Sequence, residues 1–195
     1  MKRIISALLV LILLIPVIAC ASEEKVEYAI KKFKWGDSKE YVQEIEGECI
    51  SSGNVNGNNA TYIVYSTQVA GLDCLLVYYF CDEGLFQARY ILTESHSNEA
   101  LYINDYSTFR SALTKKYGEP LLDQESWQDN SRKEYYANRK ADALSYGYLK
   151  YITMYFLDDT IIGMEMSADN YKITTTVDYR SLSISPGEAD YSDDI

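Results

Sequence analysis

The sequence has little of several residue types on which common protein activities depend. Its 195 residues include one histidine and three prolines, and 18 lysines and arginines stand against 29 aspartates and glutamates, giving a formal net charge of −11. Nucleic-acid binding needs a basic surface that contacts phosphates, so we expect no nucleic-acid partner. The excess of acid also opposes electrostatic attraction to anionic lipids.

Sequence motifs that carry catalytic chemistry are missing as well. There is no Gly-x-Ser-x-Gly, phosphate loop, dinucleotide fingerprint, CxxC or Cys/His cluster with metal-binding spacing. His96 lies in a polar segment and would need a nucleophile and an orienting acid from elsewhere, so we interpret it as an exposed loop residue. The acid pairs at 82–83 and 158–159 could serve a glycosidase, but their position between strands favours turns. We expect no enzyme activity, cofactor or metal site.

One long apolar run is present, and it lies at the start of the chain. Lys2 and Arg3 precede Ile4–Ile18, which is apolar except for a serine and a proline. As a helix this run is shorter than the ~30 Å hydrocarbon core of a bilayer. Residues 1–19 are therefore predicted to be a secretory signal peptide, and without them 16 basic and 29 acidic residues remain.

The end of this run carries a family resemblance. Val17-Ile18-Ala19-Cys20 resembles the lipobox of bacterial lipoproteins. The resemblance implies that Cys20 becomes the diacylglyceryl-modified first residue and anchors the protein on the extracytoplasmic face of a bacterial membrane. The alternative is ordinary cleavage after Ala21, because Ala19-Cys20-Ala21 also fits a small-x-small site.

Three further cysteines follow Cys20, namely Cys49, Cys74 and Cys81. Cys74 and Cys81 lie seven residues apart on one predicted strand, about 23 Å, which is too far for a disulfide. Cys49 could meet either of them, and the simpler interpretation is that all three are small buried hydrophobic residues.

Two amphipathic helices are predicted. The first begins with a capping-box-like pair, Asp37 and Glu40, and ends at Gly47. The second begins at Leu101 or Tyr106 and ends at Gly118, because apolar residues recur at intervals of three and four up to Tyr117. Residues 129–142 are highly charged and are interpreted as a solvated helix or an insertion.

Most of the remaining chain has strand character, interrupted by an Asn- and Gly-rich loop at Ser51–Asn59. The almost wholly apolar strand Leu72–Cys81 is expected to be covered on both faces. The predicted strands are Ala60–Val69, Leu72–Cys81, Leu85–Thr93, Leu121–Gln128, Ala143–Leu157, Ile161–Ser167 and Tyr171–Arg180.

The two halves of the chain show short matches. The segment after the first helix, Gly47–Ile50, matches Gly118–Leu121 at an offset of 71, and Tyr79–Leu85 matches Tyr155–Ile161 at an offset of 76. We therefore predict an α+β fold of two repeats, each a helix plus an antiparallel meander, with the helices packed on one face of the sheet. The predicted boundaries are 1–19 signal peptide, 20–32 tether, 33–100 first repeat, 101–180 second repeat and 181–195 disordered acidic tail.

This pattern, with the Trp35-Gly36-Asp37-Ser38 start, resembles the β-lactamase-inhibitor-protein-like fold, which small outer-membrane-assembly lipoproteins of the BamE type also use. The resemblance covers roughly residues 33–180. It implies a secreted or lipid-anchored protein that acts by binding another protein.

Tyrosine is the most unusual compositional feature, with 19 residues in the chain. Tyrosine combines a large apolar area with one polar group and is enriched at interfaces, although it also suits half-buried strands. We expect a lipid-anchored protein whose aromatic sheet surface binds an unknown protein or, alternatively, an envelope glycan. The candidate surface residues are Tyr62, Tyr65, Tyr78, Tyr79, Tyr90, Tyr148, Tyr151 and Tyr155.

Overall fold

The computed structural model describes residues 30–55 and 59–186. Within them the chain is an α+β protein with one eight-stranded antiparallel sheet and four helices. The predicted signal peptide, the predicted lipidation site Cys20 and residues 187–195 of the predicted tail lie outside the described residues.

The helices and strands follow one another in a simple order. They are α1 (Lys39–Glu46), β1 (Ser51–Val55), β2 (Ala60–Val69), β3 (Leu72–Cys81), β4 (Gly84–Leu92), α2 (Ala100–Tyr117), β5 (Leu122–Trp127), α3 (Asn130–Tyr135), α4 (Lys140–Ser145), β6 (Leu149–Phe156), β7 (Thr160–Asp169) and β8 (Lys172–Ser181).

The sheet joins two sets of four strands. Its order is β1-β2-β3-β4-β8-β7-β6-β5, so β4 and β8 meet at the centre and β1 and β5 form the edges. The central pair is antiparallel, with Ala88 opposite Tyr179 and Tyr90 opposite Val177. Because these two strands are hydrogen-bonded, both sets of strands share one continuous sheet.

The two long helices end where the sequence predicts. Gly47 and Gly118 have φ of 86° and 84°, and their N–H groups donate to the carbonyls of Gln43 and Thr114. The predicted start of α1 is wrong by one residue, because the hydroxyl of Ser38 accepts the capping hydrogen bond. None of the described helices combines the length and the apolar character that a membrane crossing requires.

The predicted strands are found with small shifts, and two segments differ. The sequence predicts a loop at Ser51–Val55, but this segment forms β1, because its backbone pairs with β2 although its side chains are mostly polar. Ala143–Ser145 was expected to begin a strand but belongs to α4. The charged segment 129–142 contains α3 and the first half of α4.

One face of the sheet carries the main core, and the helices cover it. Val42 of α1, Phe109 of α2 and Leu144 of α4 are buried in the same cluster as sheet residues such as Ile63 and Val177. Part of the predicted tether also belongs to this core. Ile30 is only 2% exposed, and its backbone bonds with that of Phe33.

The segment before α1 is held against the turn between β3 and β4. The N–H of Gly36 donates to the carbonyl of Leu85, and the N–H of Leu85 donates to the carbonyl of Asp37, both at 2.9 Å. A Cβ at Gly84 would lie 2.3 Å from the carbonyl oxygen of Gly36. Glycine is therefore required at position 84 both by this close approach and by its φ of 100°.

Replacing Gly84 by alanine tests this contact. We expect Gly84→Ala to lower the free energy of unfolding by about 3 kcal/mol or more, because backbone atoms that meet the new Cβ must move. Gly71→Ala is the matched control, since Gly71 also has positive φ but has no atom within 4 Å of a new Cβ. Its expected loss in urea unfolding is about 1 kcal/mol, and equal losses for the two variants would contradict the close approach.

Candidate interaction surfaces

Four of the eight tyrosines predicted to form a surface lie in the core instead. Tyr65, Tyr78, Tyr90 and Tyr155 are buried, so their assignment to an exposed surface is wrong. Alternate residues of a strand face opposite sides, and these four project to the side that the helices cover. Their burial is a consequence of the helix positions.

Hydrogen bonds satisfy several of the buried hydroxyls. Tyr78 donates to Glu46 at 3.0 Å, and the hydroxyls of Tyr155 and Thr114 are 2.9 Å apart. Burial raises the pKa of Tyr78 far above its ordinary value, and the nearby Glu46 carboxylate raises it further. These groups stay neutral and act as packing residues.

Tyr151 also faces the helices, where its ring is 5.6 Å from that of Tyr106. Burial raises its pKa to about 12, with a further contribution from Glu125. Tyr148 lies just before β6 and contacts other tyrosines at the sheet's end. Only Tyr62 and Tyr79 of the predicted set lie on the sheet face away from the helices.

We call this second side the open face. One row of its side chains crosses four neighbouring strands. In this row Tyr62 is opposite Tyr79, Tyr79 is opposite Gln87, and Gln87 is opposite Arg180. The Tyr62 ring lies over Gly53 of β1, where a Cβ would be 2.9 Å from its hydroxyl. The face also carries the apolar residues Val64, Leu75, Val77, Ile91, Ile152, Met154 and Ile161.

Two depressions of about 440 and 450 Å³ lie on the open face. Tyr79, Phe86 and Ile184 line the first, together with other residues of the segment that follows β8. Ile152 and Met154 are among the residues that line the second. Two arginines, Arg89 and Arg180, line both depressions and so separate them.

A polar network crosses the central strand pair at this position. One carboxylate oxygen of Asp178 accepts hydrogen bonds from Gln87 at 2.6 Å and from Arg89 at 2.7 Å. Burial lowers the pKa of Arg89, but the hydrogen bond and charge of Asp178 outweigh it, so the net pKa is raised. The open face therefore has a hydrogen-bonded charged centre between the two depressions.

A second surface was not predicted from the sequence. We call it the tyrosine cluster, and its members are Tyr135, Tyr136, Tyr146, Tyr148 and Tyr171. Adjacent ring centroids in the cluster are 4.8–6.0 Å apart. Of its residues, Tyr148 alone was among the predicted set. The sequence signal was the density of tyrosines at 135–148, and the link to Tyr171 comes only from folding.

The tyrosine cluster rests on a small core of its own. Tyr136 is buried with Ala143 and Leu149, and Trp127 packs against them. The N–H of Tyr148 donates to the carbonyl of Ala143 at 2.8 Å. The short helices α3 and α4 are thereby attached to the ends of β5 and β6.

The structure places His96 differently from the sequence prediction, whereas the two acid pairs lie where the sequence predicts. His96 is half-buried rather than exposed, with Nε2 2.6 Å from Asp105 and its ring edge-to-face with Tyr102. The acid pairs at 82–83 and 158–159 lie in turns between neighbouring strands, which confirms that part of the interpretation.

Cys49, Cys74 and Cys81 are free thiols, and burial raises the pKa of Cys74 to about 11. A raised thiol pKa disfavours the reactive thiolate. Across residues 30–55 and 59–186, no group of three or more His, Cys, Asp or Glu side chains could hold a metal ion.

Removing the carboxylate of Asp178 tests the charged centre. Asp178→Ala leaves the half-buried Arg89 guanidinium without its hydrogen-bond acceptor, so we expect a loss of about 1–3 kcal/mol in unfolding free energy. Glu165→Ala is the control, because the Glu165–Lys150 pair is exposed and 3.5 Å long. Its expected loss in the same denaturation experiment is below ~1 kcal/mol; a similar loss for both variants would refute a special role for Asp178.

Comparison with known proteins gives no further guide to these surfaces. The chain matches no family model, no curated protein and no solved structure. Any function must therefore be inferred from the sequence and from the residues that the structure describes.

Proposed function

We propose that this protein is a lipid-anchored, extracytoplasmic protein of non-catalytic type that binds another protein through the open face of its sheet. The observation that carries the proposal is that helices cover one side of the sheet while the other side keeps apolar, aromatic and charged side chains. An inhibitor or an assembly factor works in this way, by presenting a preformed surface.

The composition of the open face supports a protein partner. The cores of interfaces are enriched in tyrosine, phenylalanine and arginine, and tyrosine and arginine are also enriched among the residues that dominate binding energy. Tyr79, Phe86 and Arg180 meet around the first depression. The hydrogen-bonded pair Arg89–Asp178 would fix the register of a partner without needing to move.

A glycan-binding function is less well supported. Stacking on sugars favours rings that share a plane along a groove. On the open face the Tyr62 and Tyr79 rings are inclined by 51°, and the Tyr79 and Phe86 rings by 50°. Such rings form an uneven surface, which suits protein side chains better than the flat faces of a sugar chain.

The two-repeat organisation also belongs to this proposal. Each proposed repeat contains a helix followed by four strands, and the last strands, β4 and β8, pair with each other. The sequence match at an offset of 71 relates corresponding helix ends, since Gly47 and Gly118 close α1 and α2. The match at an offset of 76 relates the β3–β4 turn to the β6–β7 turn. The first of these turns joins the third and fourth strands of its proposed repeat, whereas the second joins the second and third strands.

The resemblance to the β-lactamase-inhibitor-protein-like and BamE-type lipoproteins remains part of the proposal. It is supported by helices on one side of an antiparallel sheet and by a second side that none of the described helices covers. The proposed anchor is the lipidated Cys20, which together with residues 21–29 precedes the described part of the chain.

Affinity capture from envelope extract tests the open face. We expect the purified protein to retain a specific partner, and Tyr79→Ala with Arg180→Glu to reduce capture about tenfold or more. Tyr41→Ala is the control, since Tyr41 is exposed on helix α1. Far-ultraviolet circular dichroism checks that each variant is folded. Equal capture by all variants, or turnover in an enzyme screen without any partner, would refute the proposal.

Lipidation is tested separately by metabolic labelling. Replacing Cys20 by alanine removes the thiol that would carry the diacylglyceryl group, so incorporation of labelled palmitate should be abolished. Cys49→Ala is the matched control and should leave labelling unchanged. Persistent labelling of Cys20→Ala would contradict the anchor without affecting the open-face proposal.

A further inference from the structure

The tyrosine cluster lies outside the open face and has no role in the function proposed above. Three of its rings are strongly exposed, Tyr135 at 70%, Tyr146 at 48% and Tyr171 at 73%. The buried Tyr136 supports them from below and contacts the rings of Tyr135, Tyr146 and Tyr148. A group of large exposed rings on a supported base is unusual for a surface with no partner.

The turn that carries Tyr171 is strained in a way that another turn of this chain avoids. Asn170 and Tyr171 connect β7 to β8 with φ of 47° and 64°. The β2–β3 connection has the same two-residue form and positive φ, but its second residue is Gly71. A tyrosine in this conformation is less favourable than glycine. The chain therefore keeps an exposed ring at Tyr171 at the expense of local backbone stability.

The segment that carries four of the five cluster tyrosines contains more basic than acidic residues, although the chain as a whole is acidic. Residues 128–150 contain five lysines and arginines and three acids, whereas the whole chain has a net charge of −11. Two of the five, Lys140 and Lys150, are paired with Glu125 and Glu165 from outside the segment, and two others lie on the cluster itself. The guanidinium of Arg132 is 4.1 Å from the centre of the Tyr148 ring, and that of Arg139 is 4.9 Å from those of Tyr135 and Tyr136.

Both guanidinium groups are placed to donate hydrogen bonds to an external carboxylate. A guanidinium held against a ring keeps its N–H donors in its own plane, available for bidentate bonds. The nearest carboxylate oxygens within the described residues, on Asp129 and Asp142, are 4.0 and 3.8 Å away, beyond hydrogen-bond distance. These two guanidinium groups, each without a hydrogen-bonded carboxylate within the described residues, therefore complement an acidic partner.

The ring geometry distinguishes a peptide from an acidic glycan. Neighbouring rings of the cluster meet at angles from 45° between Tyr136 and Tyr148 to 86° between Tyr146 and Tyr171. Clefts between steeply inclined rings accommodate side chains, whereas sugars stack on rings that lie in one plane. Tyrosine and arginine together are also the residue types that dominate protein hot spots.

We propose that the tyrosine cluster is a docking site for an acidic peptide segment of a partner protein. Carboxylates of the segment would bind Arg132 and Arg139, and its apolar side chains would lie between the exposed rings. This site is separate from the open face, so either surface can bind without the other.

Selection from a random peptide library displayed on phage tests the proposal with the purified protein. We expect the selected peptides to carry net negative charge and at least one large apolar side chain. Their binding should weaken several-fold when salt is raised, since exposed ion pairs are screened. Replacing their Asp and Glu by Asn and Gln should weaken binding about tenfold or more.

Variants of the protein locate the binding site. Arg132→Gln with Arg139→Gln should reduce affinity for a selected peptide about tenfold or more. Tyr171→Gly should also reduce affinity, yet leave the thermal unfolding midpoint unchanged or higher, because glycine relieves the strained turn. Tyr171→Phe keeps the ring and should retain binding. Ala70→Gly replaces the non-glycine residue with positive φ in the β2–β3 turn and should leave affinity unchanged.

Several results would overturn the inference. These are selection of neutral or basic peptides, affinity that is insensitive to the Arg132, Arg139 and Tyr171 variants, or no selected peptide at all. Polygalacturonate is tested in parallel, and binding of this acidic glycan with the same sensitivity, in place of any peptide, would also overturn it. The open-face variant Tyr79→Ala with Arg180→Glu serves to separate the two surfaces, because it should leave peptide affinity unchanged.

Discussion

The pairing of β4 with β8 is the interaction on which the rest of the structure depends. It joins two sets of four strands into one sheet, and Arg89 and Asp178 form a hydrogen-bonded pair across it on the open face. On the helix side Tyr90 and Tyr179, one from each strand, meet edge to face at 6.0 Å. A single sheet has two sides, and the described helices are enough to cover one. The open face is the direct consequence.

The abundance of tyrosine has three different physical outcomes in this fold. Under the helices, tyrosine fills the core, and its hydroxyl is satisfied by partners such as Glu46 for Tyr78. On the open face, Tyr62 lies over the edge-strand glycine Gly53 and so remains half-buried. At the sheet's end, the exposed rings of the tyrosine cluster rest on their own small core. Composition alone could not separate these environments, because the same side chain suits all of them.

Much of the local structure could be predicted because local signals agree with the fold. Glycine at 47 and 118 ends α1 and α2, and the apolar residues Phe109 and Leu113 follow the helical period. The edge strand β1 could not be predicted, since its polar side chains carry no apolar pattern and its pairing with β2 comes from the backbone. The core position of Ile30 was missed because its neighbours are charged and the contact with Phe33 needs a folded turn.

The sequence by itself determined most of the segments that become strands, the ends of the long helices and the acidic, motif-poor character of the chain. Alternation along β3 placed Tyr78 and Tyr79 on opposite sides, but it could not tell which side the helices cover. The side that the helices cover is decided by the packing of Val42 and Phe109 against distant strands. This packing buries four of the eight predicted surface tyrosines. The meeting of Tyr146 with Tyr171 likewise needs the β7–β8 turn to lie beside the end of α4, a contact between segments separated along the chain.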